Sequence, residues 1–310
     1  MLRNSPALCL LVLLCATITN PANALVQRAF VASYGSDSNA ASDCQVLNPC
    51  RMFTTAVTVV AQNGEVVALD TAAYGIVTLT QSISLTAAPG VYAGVSVFPG
   101  GGTGITIATP NVNVVLRGLT INGQGGNNGV LMTAGSRLSI ENCVISNFNG
   151  VNQFGVLVDT AATVRIVDTL VRDNDFGIEF RGGATADISG SKFLGNSNVA
   201  IYAHSINSTT TTVAISDTVV TGGGTGIEAL STSGNSRITM VRTTITNATE
   251  GIAASASGGT ATLTLSDSML TGNAIGYVKG SGGTITSLVN NIITDNTSNT
   301  GGALSTTPLL

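Results

Sequence analysis

From Val114 onward the chain alternates apolar and polar residues in short bursts. The unit reads apolar, x, apolar, x, x, small, x, apolar, followed by a Gly/Asn/Asp turn and a Gly-Ile-like pair. Copies begin at Val114, Leu138, Val164, Ala186, Val213, Ile238, Leu263 and Thr286, 22 to 27 residues apart. The third position holds Leu116, Ile140, Ile166, Ile188, Ile215, Met240, Leu265 and Leu288. The eighth holds Ile121, Ile145, Val171, Phe193, Val220, Ile245, Leu270 and Ile293. Equivalent residues are apolar in every copy, as interior ladders of a stacked repeat require. The period of two inside each copy, broken every few residues by Gly, Asn or Asp, predicts about three short strands per copy and no helix.

A strand that pairs with its counterpart one coil later, in the same direction, makes parallel sheets. Wound continuously, these form an all-β parallel β-helix with coils about 4.8 Å apart. Segments 65–69, 76–85 and 104–107 read as less regular coils at the start of the stack. Both ends of a stack expose sheet edges that need covering. Segment 49–62, with apolar Met52, Phe53, Ala56, Val57 and Val60 and a stop at Asn63-Gly64, predicts a capping helix at the N-terminal end. The C-terminal end shows no comparable cap. The expected organisation is therefore an export segment over 1–24, a cap over 25–64 and the β-helix over 65–310.

The export segment rests on Arg3, an apolar run from Ala7 to Ile18, and Ala22-Asn23-Ala24 as a cleavage site. The run is too short to span a bilayer, and no later stretch predicts membrane insertion. Cys9 and Cys15 leave with this segment. In an exported chain, the short Cys44–Cys50 loop favours a disulfide. Cys143 occupies the sixth repeat position, with Thr169, Ser191, Thr218, Thr243, Ser268 and Asn291 as its counterparts. It is expected to be a buried, inert thiol.

Composition agrees with this architecture. Glycine accounts for 37 of 310 residues, charged residues for 9 %, and hydrophobic residues for 44 %. Many tight turns need Gly, and a chain that is mostly ladder and interior has little room for charge. The apolar content excludes disorder. With 12 Lys+Arg against 16 Asp+Glu and no basic patch, nucleic acid is excluded as a partner.

The repeats Asn147 to Val156, Asp173-Asn174-Asp175-Phe176-Gly177-Ile178 and Asn247-Ala248-Thr249-Glu250-Gly251-Ile252 resemble the Asn-x-x-Gly-Ile repeats of right-handed parallel β-helix proteins, the pectin-lyase-like superfamily. Phe30 to Asp37, followed by Pro49-Cys50-Arg51 and a helix before Gly64-Glu65-Val66-Val67, resembles the N-terminal module of exported bacterial members. The resemblance spans residues 28–296 and implies a secreted bacterial protein. It implies no single activity, because the fold hosts lyases, hydrolases, epimerases and adhesins. The superfamily's better-defined enzymes carry Asp-Asp and His-Gly pairs, or a Ca²⁺ cluster with catalytic Arg and Lys, and this sequence lacks each pattern. Gly100-Gly101-Gly102 and Gly222-Gly223-Gly224 lack both the aspartates of metal-binding repeats and the Lys of a phosphate loop, so they are turns. No cofactor is expected.

One constellation emerges from register. In the strand after each Gly-Ile-like pair, the residues between the interior positions face outward: Glu179 and Arg181, Tyr202 and His204, and Glu228, with Asp173 and Asp175 in the leading turn. Tyr202 and His204 form a candidate acid/base pair beside Arg181, which would neutralise a sugar carboxylate, a set suited to a lyase or epimerase. Glu179 and Glu228, about 9.6 Å apart by strand spacing, approach the roughly 6.5–9.5 Å of inverting glycosidases. Arg181, Asp173 and Asp175 are the candidate substrate-binding residues. The bland alternative is a solvated strand decorated with paired charges. Two functions compete: a carbohydrate-binding or non-catalytic surface scaffold, and an enzyme acting on a polysaccharide at this face. Scarcity of Arg and Lys favours a neutral over a polyanionic glycan. Arg165 and Asp187, at the second position of neighbouring coils, read as a surface ion pair, and Ser208 to Thr212 as a polar loop.

Overall fold

A computed structural model describes residues 25–308. The segment expected to direct export, including Cys9 and Cys15, lies outside the described residues. The chain winds as a solenoid of three parallel sheets with 12, 9 and 10 strands, and each full coil gives one strand to each. The first sheet begins with Val26–Val31 and ends with Ser305–Thr306. The second carries the short strands that hold the eighth repeat position. The third starts at Val77–Leu79 and runs to Ile275–Lys279.

The interior ladders form as the sequence dictates. Leu116, Ile140, Ile166, Ile188, Ile215, Met240 and Leu265 pair in register along the first sheet, and the eighth-position residues pair along the second from Ile121 to Ile293. Nearly all are fully buried. The last copy departs by one residue: Leu263 pairs with Ile285 rather than Thr286, so Ser287, not Leu288, continues the third-position ladder. The cause lies in the corner after each first-sheet strand, which turns through a left-handed residue: Asn142, Asp168, Asp217, Arg242 and Asp267 all have positive φ. Asn and Asp tolerate this conformation because their short polar side chains bond locally. In the last coil the left-handed residue is Val289, at φ 59°. One extra residue there restores the register of Ile293 with Leu270.

The sixth-position column is a hydroxyl ladder. Thr169 Oγ1 accepts the Cys143 amide at 3.3 Å and donates to Val167 O at 3.0 Å; Ser191 Oγ accepts the Thr169 amide, and Ser268 Oγ the Thr243 amide. Corner amides that the sheets leave unpaired are satisfied by the next coil. Cys143 sits in this column buried and free, and desolvation pushes its thiol up to about 11.

At the N-terminal end Cys44 and Cys50 form the expected disulfide, and Cys50 bridges to Val31. The expected helix over 49–62 shrinks to one turn, Phe53–Ala56. The run Val57-Thr58-Val59-Val60 is β-branched and stiff at χ1, and from Val60 the chain instead forms a nine-residue strand that pairs with Val26–Val31. The supposed polar loop at 208–212 is likewise a strand from Thr209, entered through left-handed Asn207 and Ser208. Arg165 and Asp187 are register partners, yet no bridge joins them.

Candidate functional site

The third sheet builds the site. Strands Phe154–Asp159, Phe176–Arg181, Val199–Ser205 and Thr225–Ser231 lie side by side. One outward row runs Leu157, Glu179, Tyr202, Glu228, Ala253 and Val278, as period two requires. A second row pairs Phe154 with Phe176.

Outward does not mean solvated here. Glu179 is 3 % exposed and Tyr202 8 %, because long side chains on neighbouring coils fold over them. His204 Nδ1–H donates to Glu179 Oε1 at 3.1 Å. Arg181 Nε stands 3.5 Å from the same oxygen and 3.9 Å from Asp159 Oδ2, with its guanidinium 5.9 Å from the Phe154 ring centre. A buried carboxylate that faces the Arg181 guanidinium and accepts a hydrogen bond from His204 is the arrangement that lets a charge survive desolvation. Arg181 Nε and His204 Nε2 are closed to solvent without hydrogen-bond partners. Unsatisfied buried nitrogens are rare and each costs about 1–3 kcal/mol.

Four rings line the face as a stack: Phe154 on Phe176 with centres 4.9 Å apart, Phe176 on Tyr202 at 5.9 Å, and Tyr202 on His204 at 5.1 Å. A cleft of about 400 Å³ opens among Asn152, these four rings, Glu179 and Arg181, within the size range of ligand sites. Its wall is the loop before Phe154. Asp175 holds that loop by accepting the Asn152 amide at 2.8 Å, and Gln153 Oε1 closes it by accepting the Gly150 amide.

Tyr202 and His204 stack ring on ring, and the hydrogen bond of this cluster joins His204 to Glu179. Burial, then the carboxylates of Glu228 and Glu179, raise the Tyr202 phenol far above its ordinary range, so Tyr202 stays protonated. Tyr202 stands between Glu179 and Glu228 in the row, and Glu179 is turned to His204 and Arg181. Burial also raises the Glu228 carboxyl, reinforced by Glu250 and Glu179 and opposed by His204. Asp173 does not line the cleft; it pairs with Arg172 at 2.6 Å. Asp175 positions the wall. Phe154, Phe176 and Asn152 escaped the sequence reading, although the repeated Phe-Gly-Val and Phe-Gly-Ile at one repeat position signalled an aromatic column. Among the described residues no His/Cys/Asp/Glu group has metal-holding geometry, and no helix is long and apolar enough to cross a membrane.

The family described as right handed beta helix region matches residues 69–214. Among solved structures, pectate lyase Pel9A superposes with a TM-score of 0.62 at 15 % identity, over 91 % of this chain and 82 % of that one. Tailspike protein 2 of the Escherichia coli O157:H7 bacteriophage CAB120 gives a TM-score of 0.36 at 14 % identity, over 90 % of this chain and 46 % of that one. None of the curated proteins matches. The chain folds as a right-handed parallel β-helix repeat protein. At these identities the likeness to the solved structures is one of fold.

Proposed function

We propose that this is an exported carbohydrate-binding protein that holds a neutral glycan in the cleft over Glu179, Arg181 and His204. The observation that carries the reading is the coincidence of a ligand-sized cleft with a cluster of titratable and aromatic side chains, in a chain that is otherwise sparing of charge. Pectate lyase Pel9A, which shares the fold, acts on a polysaccharide by its name, and this supports the ligand class. The Cys44–Cys50 disulfide supports an oxidising, extracellular location. In this reading 25–64 is the cap and 65–310 the binding scaffold.

Neutral is favoured over polyanionic because Arg181 is the one cleft residue with a fixed positive charge, and it already faces Glu179 and Asp159. Binding is favoured over turnover because His204, although oriented by a carboxylate as a general base is, has Nε2 closed off. The test is retention on an array of neutral and anionic oligosaccharides, with product analysis. The intact protein is expected to be retained by a neutral glycan without product, and Arg181→Ala and His204→Ala to weaken retention at least about tenfold, which is about 1.4 kcal/mol. Retention by polyanions alone, or two unaffected variants, would overturn the reading; a released product would replace binding with catalysis.

A further inference from the structure

The first sheet, which takes no part in the cleft over Glu179, carries on its outer face a concavity of about 420 Å³. Asn113, Val115, Arg137, Ser139, Thr163 and Arg165 line it. They come from the neighbouring strands Asn113–Arg117, Arg137–Glu141 and Thr163–Val167. Period two turns these residues outward, while Val114, Leu138 and Val164 between them are buried. Arg137 is in register with Thr163 and Ser139 with Arg165, so the two arginines stand on a diagonal, one coil and two residues apart. Strand geometry puts their backbones about 8 Å apart, within reach of one small ligand lying between the side chains.

Both guanidinium groups are exposed and unpaired. Among the described residues Arg28, Arg117, Arg172, Arg181 and Arg242 each have a carboxylate at bridging distance, whereas no salt bridge reaches Arg137 or Arg165. Nearby carboxylates do not fill the gap. Glu141 Oε1 accepts the Ser139 hydroxyl at 2.7 Å, and its Oε2 accepts Arg117 Nε at 2.8 Å. Asp187 is in register with Arg165 on the next coil without bridging it.

From these observations we infer that the concavity binds a small organic phosphate, held by Arg137 and Arg165 through its terminal phosphate group. The inference goes beyond the glycan reading and does not depend on it. A guanidinium presents a fork of N–H groups, and a single fork satisfies both oxygens of a carboxylate. A terminal phosphate has three acceptor oxygens and about two negative charges at neutral pH. Two forks converging along a diagonal match it in both charge and donors. The organic body lies over half-buried Val115, where Asn113 and Thr163 can meet its hydroxyls. The volume suits a small molecule.

The experiment is calorimetric titration of the intact protein with glucose 6-phosphate and with gluconate, at low ionic strength, where exposed charges are least screened. Co-sedimentation with phosphatidylcholine vesicles containing phosphatidate tests whether the phosphate belongs to a membrane instead. Glucose 6-phosphate is expected to bind at least about tenfold more tightly than gluconate. Arg137→Gln and, independently, Arg165→Gln are expected to weaken its binding at least about tenfold. Arg165→Lys keeps the charge without the fork, and is expected to lose most of the affinity that Arg165→Gln loses. Circular dichroism confirms that each variant is folded. Equal binding of glucose 6-phosphate and gluconate, an Arg165→Lys variant as tight as the parent, or two folded Gln variants without effect would overturn the site. Sedimentation with phosphatidate vesicles, without binding of glucose 6-phosphate, would overturn the small-molecule ligand in favour of a lipid phosphate.

Discussion

Replacing Asn174 by Ala tests how the scaffold holds the corner that leads into the site. Asn174 is fully buried between the second and third sheets, and its side chain spans three coils. Its Oδ1 accepts the Phe148 amide at 3.1 Å; its Nδ2 donates to Ile145 O at 3.4 Å and Asn196 Oδ1 at 3.0 Å. Each bond contributes about 0.5–1.5 kcal/mol net, and a buried amide left without a partner costs about 1–3 kcal/mol. Phe148 is itself fully buried, so its amide has no water to turn to. The bonds are shared and not fully additive, so the expected loss is about 3 kcal/mol. At a urea dependence near 3 kcal/mol per M this lowers the unfolding midpoint by about 1 M. Coils contact only their neighbours, so the loss should be local: native-state hydrogen exchange should speed up first at Phe148 and across residues 145–178, and least at 263–270. A midpoint shift under about 0.3 M, or uniform acceleration along the stack, would refute the reasoning.

Two further perturbations probe charge and covalent structure. The Glu228 carboxyl is raised on folding, so the folded state holds its proton more tightly. That contribution is complete below the ordinary carboxyl range near pH 4.3 and is lost as pH rises through the folded value. Glu228→Gln is therefore expected to raise the melting temperature at pH 7 and to change it little at pH 3, and no gain at pH 7 would contradict the assigned environment. Removing the Cys44–Cys50 bridge by double substitution to Ala should lower stability by about 2 kcal/mol, the chain-entropy value for so short a loop, with reductant having no further effect on the variant's thermal unfolding.

The repeat was legible in the sequence because stacking demands it. One apolar residue at the third and eighth positions of every coil, a small polar residue at the sixth, and Asn, Asp or Gly at the corners leave few other ways to bury those faces. Seven of eight copies were placed in register by pattern alone, from Leu116 to Leu265. The eighth slipped by one because pattern matching cannot see Val289 in a left-handed turn, a conformation that β-branched residues rarely take. The same limit explains the shrunken helix at 53–56, where strand pairing with Val26–Val31 overrode a plausible helical face. Period two likewise assigned Glu179, Tyr202 and His204 to the outer face. What it did not decide was their company: that Tyr202 would stack on Phe176 and His204, that Glu179 would be sealed under Arg181 and His204, and that Asp173 would turn to Arg172. Those outcomes depend on side-chain reach between coils 22 to 27 residues apart in sequence but about 4.8 Å apart in space, a distance that only the wound chain defines.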